Sequence, residues 1–230
     1  MKLPKLYAFN KKLKIDLSLS ENPLGCSPRV FNTLKRNVKS VVEYPDPTST
    51  GVRSALAKKF KISKEQILVG NGSESLIDLV CRVLIKPKDA IVLPELTFPL
   101  FERTILLAKG IPVFVKMKRN FQIDLQAIKD RVNKSTKLII ICNPNNPTGK
   151  VINRDEILNF VKSIKPVPVL VDEANIEFGG KSVVSGVKKL NNLMVLRTFS
   201  KGFGLAGLRI GILFGSKSLI KRLKQFIQPF

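Results

Sequence analysis

The sequence predicts an α/β fold, a mostly parallel sheet with helices on both faces. Three observations carry that reading. From residue 66 onward, short unbroken apolar runs rich in Val, Ile and Leu recur, as in strands buried on both sides. Segments with apolar residues at helical spacing fall between several of them, the alternation that leads to parallel pairing. Several strands also end in loops crowded with amides, acids or glycines, at the carboxyl edge where open sheets of this kind gather ligands.

In chain order, residues 1–20 form a lysine-rich lead-in, followed by the Pro/Gly loop Glu21-Asn22-Pro23-Leu24-Gly25. Residues 28–38 predict a short helix, Tyr44-Pro45-Asp46-Pro47 a loop, and residues 51–60 an amphipathic helix with Val52, Leu56 and Phe60 on one face. Gln66-Ile67-Leu68-Val69 reads as a strand, residues 70–75 as a polar glycine turn, and residues 76–85 as a helix. Strand, turn and helix start together offer backbone N–H groups to an anion, although an ordinary capped helix start explains the turn equally well. Further strands are predicted at 90–93, 113–115, 138–141, 167–171 and 193–196, and helices at 98–108, 125–132 and 154–164. With no internal repeat and no low-complexity linker, residues 1–65 read as an N-terminal arm with the first helices, and residues 66–230 as one α/β domain.

Composition narrows the chemistry. The 230 residues are 44% hydrophobic, enough for a sizeable core. No apolar run is long enough to span a membrane, and the N-terminus does not resemble a signal peptide. Cys26, Cys81 and Cys142 are far apart and odd in number, which predicts reduced, buried thiols in a cytoplasmic protein rather than disulfides or a metal site. The absence of histidine excludes Ser-His and Cys-His nucleophile pairs and most zinc enzymes. Acid–base work near neutral pH then needs a shifted lysine or carboxylate, or a cofactor. The net charge of +23 is spread as singles and pairs, such as Lys58-Lys59 and Lys188-Lys189, with no basic block or aromatic–basic RNA motif. It reads as a solvated surface that weakly steers anionic substrates, not as a nucleic-acid interface.

Three post-strand loops are chemically unusual. Residues 142–149 crowd Asn143, Asn145 and Asn146 between prolines, and Asp172 stands where an apolar strand ends. Leu193-Met194-Val195-Leu196 leads into Arg197-Thr198-Phe199-Ser200-Lys201-Gly202, with Arg209 eight positions beyond Lys201. A lysine among small and apolar neighbours loses its proton more easily and can attack a carbonyl. Glycines allow close backbone approach, and Ser200 with Arg209 could hold a phosphate. The combination suggests a carbonyl cofactor carrying a phosphate, with an amide, a carboxylate and a lysine meeting at adjacent strand ends.

These stretches, in this order, resemble the aspartate-aminotransferase-type enzymes that use pyridoxal phosphate (class I/II, fold-type I), and most closely the histidinol-phosphate aminotransferases. The matching residues are 21–25, Tyr44-Pro45-Asp46, Gly72-Ser73-Glu74, 143–149, Asp172-Glu173-Ala174 and 197–211. The resemblance implies that Lys201 joins the cofactor aldehyde and later moves the proton at Cα, and that Asp172 pairs with the ring nitrogen. It also implies that Asn146 donates to the ring's phenolic oxygen and that Phe98 stacks on the ring, with plain core packing as the competing reading for Phe98. The phosphate would be held by backbone N–H groups of Ser73 and Glu74, by Thr198 and Ser200, and by Arg209. Tyr44 would reach the neighbour's phosphate in a homodimer, and Asn22 and Gly25 would lie beside the substrate. Asn175 stands where the family has a tyrosine, a departure expected to alter the chemistry more than cofactor binding.

The implied reaction moves an amino group between a donor such as histidinol phosphate and 2-oxoglutarate, in histidine biosynthesis. A threonine-phosphate decarboxylase-like enzyme is the nearest alternative. The family's C-terminal small domain is absent from the sequence, so a further alternative is a truncated, non-catalytic protein or one half of a split enzyme whose small domain is a separate chain. No metal is implied.

Overall fold

The computed structural model describes residues 3–4 and 18–227; most of the lysine-rich lead-in (residues 5–17) and residues 228–230 lie outside the described residues. Among these, seven strands form one sheet: β1 (Ile67–Asn71), β2 (Ala90–Pro94), β3 (Ile111–Val115), β4 (Thr136–Cys142), β5 (Val169–Asp172), β6 (Leu193–Thr198) and β7 (Ile210–Phe214). Their order is β1-β7-β6-β5-β4-β2-β3. From β3 to β6 every pairing is parallel, while β7 runs antiparallel to both β6 and β1.

Because strand side chains alternate between faces, the unbroken apolar runs feed two cores at once. Ile139, Ile141, Val169, Val171 and Val195 pack on one face beneath α2 (Thr50–Phe60), α5 (Leu125–Asp130) and α6 (Arg154–Ser163). Leu138, Ile140, Leu170, Met194 and Leu196 pack on the other beneath α3 (Gly72–Leu84), α4 (Leu100–Leu107) and α7 (Lys217–Lys224). These central strand residues are fully buried, each contributing roughly 1.5–3 kcal/mol of transfer free energy. The first helix, α1 (Pro28–Asn37), is capped by the Ser27 side chain and buries none of its residues.

Several boundaries differ from the sequence reading, each for an identifiable reason. The predicted turn at 70–75 does not exist as a separate element, since β1 runs to Asn71 and α3 starts at Gly72. Gly72 makes this possible with a left-handed φ of +77°. Val52 is 39% exposed instead of facing the core, because α2 reaches the sheet through Leu56, Ala57 and Phe60. Cys26 is half-buried, unlike Cys81 and Cys142; burial pushes the Cys81 thiol up to about 12.

β7 and α7 are missing from the sequence reading. The β7 run contains Gly211 and follows directly on a glycine-rich loop, so its strand character comes from pairing along both edges rather than from its own pattern. α7 is short and lysine-rich, and begins at a Ser216 side chain that accepts from Leu219 N at 3.3 Å.

The antiparallel sense of β7 matters for the site. Its first residue stands at the edge where β1, β2, β4, β5 and β6 end, so Arg209 joins the post-strand loops.

Candidate active site

β6 ends in a pair of buried hydroxyls. Thr198 Oγ1 accepts from Ser200 N at 3.1 Å and lies 2.9 Å from Ser200 Oγ. Lys201 then leaves the sheet half-buried, its Nζ donating to the Leu19 carbonyl. Burial lowers the Lys201 pKa, Glu21, Glu74 and Asp172 oppose that shift, and Arg209 adds to it.

The N-terminal loop packs directly on this lysine loop. Asn22 Nδ2 donates to the Gly202 carbonyl at 3.2 Å, while its Oδ1 accepts from Leu24 N at 3.0 Å. Gly25 and Gly204 both have left-handed φ, +69° and +66°, and a Cβ on Gly204 would run into the Gly25 carbonyl. Two loops almost 180 residues apart in sequence thus touch backbone to backbone.

A cradle forms where α3 begins. Ser73 and Glu74 stand in the first turn of α3, and the positive end of the helix favours an anion there. Arg209 crosses this point. Its carbonyl accepts from Gly72 N at 2.8 Å, and a Cβ on Gly72 would stand 2.9 Å from its Cζ. A Cβ on Gly211 would collide with the Gly72 and Ser73 backbone. Glycine at both positions is what allows β7 and the arginine to approach the helix start.

Asp172 closes β5, paired with Cys142 on one side and Leu196 on the other. Burial pushes its carboxyl up to about 7; the Ala174 N–H, donating to Oδ1 at 2.9 Å, pulls it back, as does Lys201, while Glu173 adds to the rise. A carboxyl so poised favours a cationic or donating group opposite it.

In the amide loop after β4, two asparagines are structural. Asn143 is buried and bonded both ways to Ile152, accepting from its N at 2.7 Å and donating to its carbonyl at 3.2 Å. Asn145 is buried and donates to the Leu96 carbonyl at 2.9 Å while accepting from Thr97 Oγ1 at 3.1 Å. With these anchored, Asn146 lines a cleft of about 280 Å³ together with Ser20, Gly149, Asn175, Phe178 and Lys201.

Of the other predicted residues, Phe98 is partly buried and meets Phe101 edge-on, centroids 5.6 Å apart, on the α3/α4 side of the sheet. Tyr44 is 83% exposed and is not among the cleft-lining residues. Sequence reasoning missed an ion-pair network beside Asp172, in which Arg197 joins the buried Glu173 to the more exposed Glu177. Its signal was an arginine at the end of an otherwise apolar strand, which a buried acid would have to balance.

The sequence model of the family described as "Aminotransferase class I and II" matches residues 12–230. The chain belongs to this family. It is 36% identical over 221 residues to the histidinol-phosphate aminotransferase of Caldicellulosiruptor saccharolyticus, covering 94% of this chain and 62% of that protein. Against the Pelagibacter ubique histidinol-phosphate aminotransferase it is 35% identical, covering 94% and 61%. The chain therefore spans about three fifths of the length of the curated relatives it matches.

Among solved structures, the Clostridium acetobutylicum histidinol-phosphate aminotransferase superposes with a TM-score of 0.82 at 25% identity, over 91% of this chain and 63% of that one. The Sinorhizobium meliloti enzyme, crystallised in complex with pyridoxal-5'-phosphate, superposes with a TM-score of 0.87 at 23% identity, over 91% and 58%, a likeness of fold. The seven-stranded sheet is thus that of the fold-type I aminotransferases. Within this member of the class I and II family, no cluster among the described residues could hold a metal ion, and no helix among them is long and apolar enough to cross a membrane.

Proposed function

We propose that this chain binds pyridoxal phosphate and forms the cofactor-binding part of an aminotransferase of the histidinol-phosphate type, working between that amino donor and 2-oxoglutarate. One observation carries the reading: the Asp172 carboxyl, the Lys201 amine and the glycine-lined cradle at the start of α3 all stand at one edge of the sheet. The names of the relatives at about 35% identity support the substrate class. The threonine-phosphate decarboxylase alternative has only a likeness of fold, at 22% identity to the Porphyromonas gingivalis enzyme.

The donor set fits the cofactor. The cradle would take its phosphate on the Ser73 and Glu74 N–H groups, the Thr198 and Ser200 hydroxyls and the Arg209 guanidinium. Asp172 would face the ring nitrogen, and Asn146 the phenolic oxygen, with Asn175 the shorter stand-in for tyrosine. Pyridoxal phosphate, when bound, supplies an electron sink for negative charge at the substrate Cα. Lys201, its proton affinity already lowered, holds and returns the proton at that carbon. Asn22 and Gly25, seated on the lysine loop, would border the substrate and keep water from the amine. Phe98 would flank the ring, and exposed Tyr44 would serve a second copy's phosphate in a cytoplasmic homodimer.

Incubation with pyridoxal phosphate followed by borohydride should fix a pyridoxyl group on Lys201, located by peptide mass spectrometry. Label spread over surface lysines, or unchanged labelling in Lys201→Ala, would sink the cofactor reading. Glutamate-dependent appearance of pyridoxamine phosphate tests transfer separately.

A further inference from the structure

We propose that Arg197 is a positioning residue: its guanidinium ties the strand end carrying Asp172 to the turn that backs the Lys201 loop, fixing carboxyl and amine relative to each other from behind the cleft. This role rests on the cofactor reading above, because it concerns the same site.

The parallel register brings the parts together. Asp172 pairs with Leu196, and Glu173 N donates to the Leu196 carbonyl at 2.8 Å, which sets Glu173 beside Arg197. Successive strand residues face opposite sides, so Glu173 points away from Asp172 into protein, where it is 0% exposed. Three donors meet it: Ser182 Oγ at 2.6 Å, Val183 N at 2.6 Å and Arg197 Nη1 at 3.2 Å. Burial raises the Glu173 pKa and these donors oppose the rise.

The second arm of the same guanidinium, Nη2, pairs with Glu177 in the short 3-10 turn Ile176–Phe178. Glu177 in turn lies against Gly202, the residue after Lys201; a Cβ there would stand 2.8 Å from Glu177 Cγ. The face of Arg197 is held too, its Cζ 5.9 Å from the Phe60 ring centroid. A planar fork can hold both acids at once, whereas a lysine offers a single point charge.

Cutting the link should let the lysine loop move away from the turn. Lys201 then gains water, and its proton affinity returns towards that of a free lysine. The charged groups facing it are Glu21 from the N-terminal loop, Glu74 from α3, Asp172 from β5 and Arg209 ahead of β7. All four of these groups stay ionisable or charged in the Arg197 and Glu177 variants, so only their placement around Lys201 changes.

The test is competitive labelling of Lys201 with acetic anhydride across pH, read by peptide mass spectrometry on protein without added pyridoxal phosphate. Thermal melts are recorded alongside. Glu177→Ala and Arg197→Lys should raise the labelling midpoint towards that of an exposed lysine. Glu177→Gln keeps the contact with Gly202 and an acceptor for Arg197, and should restore most of the wild-type midpoint. If Arg197→Lys does not fold, the two Glu177 variants decide. A midpoint unchanged in Glu177→Ala, whatever its Tm, overturns the positioning role. Borohydride fixation of pyridoxal phosphate on wild-type Lys201 is run in parallel. Its failure removes the cofactor reading, while the midpoint shift stands or falls independently.

Discussion

Replacing Asp172 by asparagine isolates the cost of burying one carboxyl at a strand end. Its pKa is raised from 3.8 to about 7, chiefly by burial. A carboxyl raised in the folded state contributes its stability below the unfolded pKa and loses it as pH climbs through the folded value. Folding therefore weakens from about pH 4 to pH 7. Three pH units at about 1.36 kcal/mol each bound the loss at about 4 kcal/mol. Asparagine keeps the oxygen that accepts from Ala174 N and has nothing to titrate. In protein stripped of cofactor, Asp172→Asn should thus gain on wild type as pH rises, and the gap in Tm should widen by roughly 10 °C between pH 4 and pH 8. Urea unfolding of both proteins at several pH values measures the difference directly, because every other titrating group cancels. Added pyridoxal phosphate should flatten the wild-type slope, since a cationic ring nitrogen opposite Asp172 draws its pKa down. Parallel pH profiles for the two stripped proteins would show Asp172 ionised throughout and refute the reasoning.

Three further outcomes are expected. Arg209→Ala should weaken pyridoxal phosphate binding roughly ten- to a hundredfold, the worth of a charge-assisted hydrogen bond, with Arg209→Lys intermediate; spectral titration reads this, and an unchanged affinity removes Arg209 from the cradle. Gly211→Ala forces a Cβ into the Gly72–Ser73 backbone, which cannot yield as a flexible side chain would, so it should cost about 1–3 kcal/mol in urea unfolding and weaken cofactor binding; a neutral substitution contradicts the close approach. Asn175→Tyr should move the pH midpoint of the bound cofactor's absorbance while changing its affinity little, and the reverse pattern would mean that Asn175 serves binding instead.

The parallel part of the sheet was legible because strands such as residues 138–141 and 193–196 are apolar on both faces, a pattern that belongs to buried parallel strands. Lys201 and Asp172 were legible for a related reason: a charge at the end of such a run has few bland explanations. Other features had no local signature. Gly211 breaks the β7 run, so the strand exists only through its two neighbours. Nothing in the residues 143–149 marks Asn143 and Asn145 as the buried, anchored amides, because their hydrogen-bond partners, Ile152 and Leu96, come from elsewhere in the chain.

The sequence by itself thus determined the α/β class, the run of strands and the chemical character of the loops at their ends, since these depend on short-range periodicity and composition. Only the tertiary structure decided that β7 turns back antiparallel to bring Arg209 to the start of α3. It also decided that Asn22 caps the lysine loop and that Arg197 forks between Glu173 and Glu177. Each depends on strand order and register, which bring distant residues within hydrogen-bond reach and leave no trace in local sequence.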